Sequence, residues 1–189
     1  GMGTVSEVTG RRSQRAMHFT FTSFTEASSV WRYDLYSKQL DVWARPEIPF
    51  ESSDYESKQV WYRSKDGTKI PMFIVHKRGA NMDGSNPTYL YGYGGFNISL
   101  TPSFSPSVLV WLEMGGVFAQ PSLRGGGEYG EAWHKAGMLD SKQNVFDDFI
   151  AAGEYLVAEG WTSPERLAIG GGSNGGLLVG ACMNQRPDL

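Results

Sequence analysis

Apolar and polar positions alternate with period two in three short runs near the start of the chain. Phe19 and Phe21 alternate with Thr20 and Thr22 within His18–Phe24. Val30-Trp31-Arg32-Tyr33-Asp34-Leu35 alternates again, and Gln39-Leu40-Asp41-Val42-Trp43 repeats the pattern. Such runs, parted by polar turns, predict an antiparallel β-meander. A lone meander with one apolar face is marginally stable, so this one calls for neighbours of the kind a propeller blade has. Arg45-Pro46-Glu47-Ile48-Pro49 follows, and its two prolines resist both helix and ladder. A boundary is expected there, with a meander over 1–50 and a second domain over 51–189.

From Val60 the pattern becomes mixed. Val60-Trp61-Tyr62 and Lys69–Val75 flank Asp66-Gly67, a hairpin signal. Thr88–Tyr91 and Gly116–Gln120 read as strands, and Ser107–Met114 as a short helix with Pro106 at its first turn. Asn144 is placed to cap a longer helix, with Asp147 and Asp148 in its opening turns. Phe146, Phe149, Ile150, Gly153, Leu156 and Val157 give that helix one apolar face, and Gly160 ends it. Arg166–Ile169 is a further strand. Strands alternating with helices predict an α/β fold, a mostly parallel sheet with helices on both faces. Sites in such sheets form beyond the carboxyl ends of the strands. The exits after Tyr91, Gln120 and Ile169 are therefore expected to converge on one rim.

Composition narrows the functional classes. The chain has 189 residues, 40% hydrophobic and 20% charged, in the globular range. A net charge of -3 offers no general attraction to nucleic acid or to an anionic membrane, and no apolar run is long enough to span a bilayer. Gly1-Met2-Gly3 opens no basic and apolar signal region. The single cysteine, Cys182, excludes an internal disulfide and fits a reducing cytoplasm. No Cys/His cluster has metal-ligand spacing, so no metal or cofactor is expected.

The chemistry centres on Gly171-Gly172-Ser173-Asn174-Gly175-Gly176, a G-x-S-x-G motif between the apolar runs Leu167-Ala168-Ile169 and Leu177-Leu178-Val179. Strand, sharp turn and helix would set the Ser173 hydroxyl on a nucleophile elbow. The Asn174 amide is one candidate oxyanion donor. The exit Tyr91-Gly92-Tyr93-Gly94-Gly95-Phe96-Asn97 is a source for a second, with Tyr93 offering a phenol. Sixteen residues follow Ser173 and none is histidine. His18, His76 and His134 all precede it, against the Ser–acid–His order of this fold. Asp147 and Asp148 read most simply as helix-start charges. Arg124-Gly125-Gly126-Gly127-Glu128 lacks the Lys-Ser/Thr of a phosphate loop.

Taken together these motifs closely resemble the prolyl oligopeptidase family, serine peptidases with an α/β-hydrolase domain capped by a propeller. Asp148, Ala152 and Leu156 stand four apart, and fourteen residues separate Leu156 from Gly171, as in the family signature. Tyr91–Asn97, Arg124–Gly130, Ser64–Pro71 and Asn184–Leu189 match as well, while Gln120-Pro121-Ser122-Leu123 departs. The resemblance covers nearly the whole chain, with the meander similar to the final blade. It implies Ser173 as nucleophile, the Asn174 amide and Tyr93 hydroxyl as oxyanion donors, and Phe96 as a wall of the proline pocket. Short proline-containing peptides are the implied substrates, cut after proline through an acyl-serine. It also implies that the family's Asp and His fall beyond Leu189, leaving this chain inactive without a complement and its elbow strand at an open sheet edge. Two alternatives remain: a non-catalytic peptide-binding or self-associating module, and an esterase using His134.

Overall fold

A computed structural model describes residues 2–189. They fall into two compact units. The first takes in residues up to Tyr55 together with Thr101–Val110, and the second holds Glu56–Leu100 and Trp111–Leu189.

The first unit is built on an antiparallel sheet of four strands in the order β1 (Thr4–Thr9), β2 (Ala16–Thr22), β3 (Ser29–Asp34), β4 (Leu40–Ala44). The last three are the runs expected from alternation. β1 is an addition. Its register slips between Ser6 and Thr9, and Glu7 sits at φ 51°, so a bulge breaks the period that would have marked it. The turn from β3 to β4 is wound around Asp34. Its Oδ1 accepts the N–H groups of Tyr36 and Ser37, both at 3.0 Å, and its Oδ2 accepts Arg15 Nε at 2.7 Å.

The second unit contains β5 (Tyr55–Arg63, entering from the first), β6 (Lys69–Lys77), β7 (Thr88–Tyr91), β8 (Val117–Pro121) and β9 (Leu167–Gly170), in the sheet order β5-β6-β8-β7-β9. β8, β7 and β9 are mutually parallel, and β6 runs antiparallel to β8. Parallel pairing is therefore concentrated where the strand exits matter. Among the described residues, α1 (Pro106–Glu113) begins in the first unit and ends in the second, and α2 (Gly130–Lys135), α3 (Gln143–Ala158) and α4 (Asn174–Gln185) accompany the strands of the second.

The core of this unit joins Ile70, Met72 and Ile74 of β6 and Leu90 of β7 to Val145, Phe149, Ala152 and Leu156 of α3 and Leu178 of α4. The α3 face is centred on Val145, Phe149, Ala152 and Leu156, with Phe146 and Ile150 at its flanks. Two sequence readings of α3 need correction. Asn144 is not its cap: the short 3-10 turn Leu139–Ser141 runs on into α3 through Lys142, and Asn144 instead donates Nδ2 to the Ala136 carbonyl at 2.9 Å. Asp148 is not a helix-start charge; it is fully buried. The end of α3 is as expected. Gly160, at φ 75°, donates to the Val157 carbonyl and Trp161 to that of Leu156, the paired bonds of a Schellman motif.

Candidate active site

β9 runs straight into the G-x-S-x-G turn, and α4 begins at the residue after the serine. Ser173 stands at φ 54°, ψ −115°, a region that side-chain-bearing residues rarely occupy and that costs on the order of 1–3 kcal/mol. The flanking glycines are required by contact. A Cβ on Gly171 would lie 2.6 Å from the Gly175 carbonyl oxygen, and a Cβ on Gly175 would lie 2.6 Å from that of Gly92. Nothing approaches a Cβ at Gly176 within 4 Å. The turn is thus pinned at two glycines, and Ser173 projects into solvent.

The parallel register of β7 and β9 brings the Tyr91–Asn97 exit beside the elbow. Gly92 N–H donates to the Gly170 carbonyl at 3.0 Å. Asn174 Nδ2 donates to the Tyr93 carbonyl at 2.5 Å, and the Asn174 amide group packs so closely on Gly95 that a Cβ there would sit 2.6 Å from Nδ2. Ser173, Asn174 and Tyr93 are thereby gathered at one rim. The Asn174 N–H and the Tyr93 phenol have no acceptor or partner among the described residues, so both remain available to a ligand. Phe96 belongs to the same turn, at φ 53°, but stands 74% exposed.

Beneath the rim lies a polar network that motif reading missed. Arg124, at the exit of β8, is almost wholly buried. Its guanidinium reaches Asp148 Oδ1 at 2.6 Å, Asp66 Oδ2 at 2.5 Å and Ser64 Oγ at 3.2 Å. One side chain therefore ties the β8 exit to α3 and to the β5–β6 hairpin. Only the fixed spacing Asp148–Ala152–Leu156 hinted that this carboxylate faces inward.

The histidines are elsewhere engaged. His134 Nδ1 lies 2.8 Å from the Gly125 carbonyl, His76 packs on Trp161, and His18 meets the edge of Trp43. None bonds to Ser173. The esterase alternative with His134 as base gains no support from this geometry. Cys182, on α4, is buried, and burial pushes its thiol up to about 12.

A partly parallel sheet whose last strand feeds a strained serine at a helix N-terminus defines part of an α/β-hydrolase fold. The model of the prolyl oligopeptidase family matches residues 102–189. The prolyl endopeptidase of Elizabethkingia meningoseptica is 50% identical over 189 residues, covering 100% of this chain and 27% of that protein. That of Dictyostelium discoideum is 52% identical over 173 residues, covering 89% of this chain and 23% of that protein. A solved prolyl endopeptidase, described for its inter-domain dynamics, superposes with a TM-score of 0.93 at 52% identity, over 99% of this chain and 28% of that one. Prolyl oligopeptidase B of Galerina marginata, bound to a macrocyclization substrate, gives 0.90 at 44% identity, over 96% and 26%. The chain is similar to members of the prolyl oligopeptidase family along nearly its whole length and spans about a quarter of the length of these relatives.

Proposed function

We propose that this chain supplies the nucleophile and the oxyanion hole of a serine peptidase that cuts short peptides after proline. The observation that carries the reading is the strained Ser173 beside two unengaged donors, the Asn174 N–H and the Tyr93 phenol. Ser173 Oγ attacks the carbonyl carbon of the proline residue while its proton passes to a base. Negative charge collects on the carbonyl oxygen, where preorganised donors stabilise it. The tetrahedral centre collapses to an acyl-Ser173 ester as the protonated amine leaves, and water then releases the acid. Phe96 forms one wall of the proline pocket. The base and its acid partner come from polypeptide outside these 189 residues, since the three histidines present are held away from Ser173. A cytoplasmic setting is part of the proposal, supported by one buried thiol. The meander over 1–50 and the catalytic segment over 51–189 are its two functional parts.

A chimera tests this. The chain replaces the matching segment of the E. meningoseptica enzyme, and turnover of a proline-coumarin peptide is followed. Turnover by the chimera, abolished by Ser173→Ala and absent from the 189-residue chain alone, supports the reading. Equal turnover by the isolated chain would sink the claim that the base is external.

One observation favours a second reading, self-association with a second copy. β9 ends the sheet order and, among the described residues, is paired only with β7. An apolar cavity of about 380 Å³ opens beside it, lined by Leu167, Ile169, Met183 and Leu189 among others. An unpaired edge next to apolar surface invites another strand. Light scattering decides: a monomer at high concentration removes this reading.

A further inference from the structure

The two halves of the rim are held together by a side chain from a third element. Lys142 sits at the junction between the 3-10 turn Leu139–Ser141 and α3. Its ammonium donates to the Gly94 carbonyl at 2.8 Å and to Asn174 Oδ1 at 3.2 Å. The same Asn174 amide donates, through Nδ2, to the Tyr93 carbonyl. The Asn174 side chain is thus held at both ends, by Lys142 on its oxygen and by Tyr93 on its nitrogen. That also fixes its orientation, because an ammonium can only donate.

The surroundings leave the turn little freedom. Gly94 is at φ 61°, and a Cβ there would meet Val145 Cγ1 and Leu123. The first turn of α3 therefore presses on Gly94 with Val145 while Lys142 pulls on its carbonyl. Lys142 is half-buried, with its ammonium 5.9 Å from the Phe146 ring centre. A charge-assisted bond in such a place is stronger than a neutral one.

We propose that Lys142 is a positioning residue: by bridging Gly94 and Asn174 it locks the turn carrying Tyr93 to the elbow residue carrying the other oxyanion donor. The inference rests on the functional reading of Ser173, Asn174 and Tyr93 given above. The ammonium touches neither substrate nor reacting atoms. It sets the separation of the two donors, one from β7 and one from α4, to which transition-state stabilisation is sensitive. A misplacement on the scale of an ångström costs roughly a hundredfold in rate.

Two measurements keep this testable apart from the functional reading. The first is amide hydrogen exchange in the intact 189-residue chain with Lys142→Met. Faster exchange confined to Gly92–Asn97 and the start of α4 is expected; unchanged exchange in those segments overturns the bridge. The second uses the chimera with a peptide aldehyde ending in prolinal, which forms an oxyanion on the serine, and the matching pyrrolidine peptide, which does not. Lys142→Met is expected to weaken the aldehyde by roughly tenfold to a hundredfold while leaving the pyrrolidine peptide within about twofold, with kcat lowered and KM little changed. Lys142→Arg, which keeps the charge, should recover part of the loss. Equal weakening of both ligands, or of neither, overturns the positioning role. If the unsubstituted chimera ignores the aldehyde, the functional reading fails and the catalytic purpose of the bridge fails with it, while the exchange result still decides whether the bridge exists.

Discussion

Arg124 holds Asp148 in two independent ways: its Nη2 donates to Oδ1 at 2.6 Å, and its own backbone N–H donates to Oδ2 at 3.1 Å. The carboxylate is entirely buried. Removing Arg124 leaves that buried charge uncompensated, which costs about 3–5 kcal/mol. Arg124→Met is expected to lose that much in urea unfolding, and Asp148→Ala less, because Arg124 keeps Asp66 as an ion-pair partner. The double substitution should cost clearly less than the sum of the two, because neither charge is then left alone. Additive losses would mean that the pair is not coupled.

Backbone strain at the elbow gives a second expectation. Ser173→Gly removes the Cβ at φ 54° and should stabilise the chain by about 1 kcal/mol relative to Ser173→Ala. Gly171→Ala should destabilise, because its Cβ would strike the Gly175 backbone. Gly180→Ala, on the open side of α4, should instead gain about 0.4–1 kcal/mol. Thermal unfolding of the four variants checks the order.

Acid stability follows from two carboxylates. Asp34 is held at about 2, against an ordinary 3.8, first by the Ser37 N–H and then by Tyr36 and Arg15. Asp66 is held at about 2 first by its bond to Arg124, helped by Thr68. Both values are lowered in the folded chain, so their contribution is complete above about pH 4 and is lost as pH falls toward 2. The urea midpoint should be flat above that window and drop within it. Asp34→Asn and Asp66→Asn should each shallow the drop; an unchanged slope in both would contradict the assignment.

Cys182 supplies a probe of folding. With its thiol buried and held near 12, it should resist a disulfide reagent at pH 8 in the native chain and react within seconds in urea. Rapid native labelling would show that the α3–α4 interface opens.

The glycine pattern made the elbow legible, because Gly171 and Gly175 answer to steric needs of a single turn. The last three meander strands were legible because their alternation is unbroken, whereas the bulge at Glu7 hid β1. The partners of Lys142 are a backbone carbonyl 48 residues away and an amide 32 residues away, and no local pattern encodes such a contact. Asp148 beside Asp147 looks like ordinary helix-start charge until Arg124, 24 residues earlier, is seen to face it. The sheet order was likewise hidden, since β8 is inserted between β6 and β7.

The central claim is that Ser173 is the nucleophile and that its base lies outside this chain. A peptide diphenyl phosphonate ending in the proline analogue phosphonylates an activated serine irreversibly, and digestion with mass mapping locates the label. The account predicts one label, on Ser173, in the chimera, and none in the 189-residue chain under the same conditions. Label on another residue of the chimera, or equal labelling of Ser173 in the isolated chain, would contradict it.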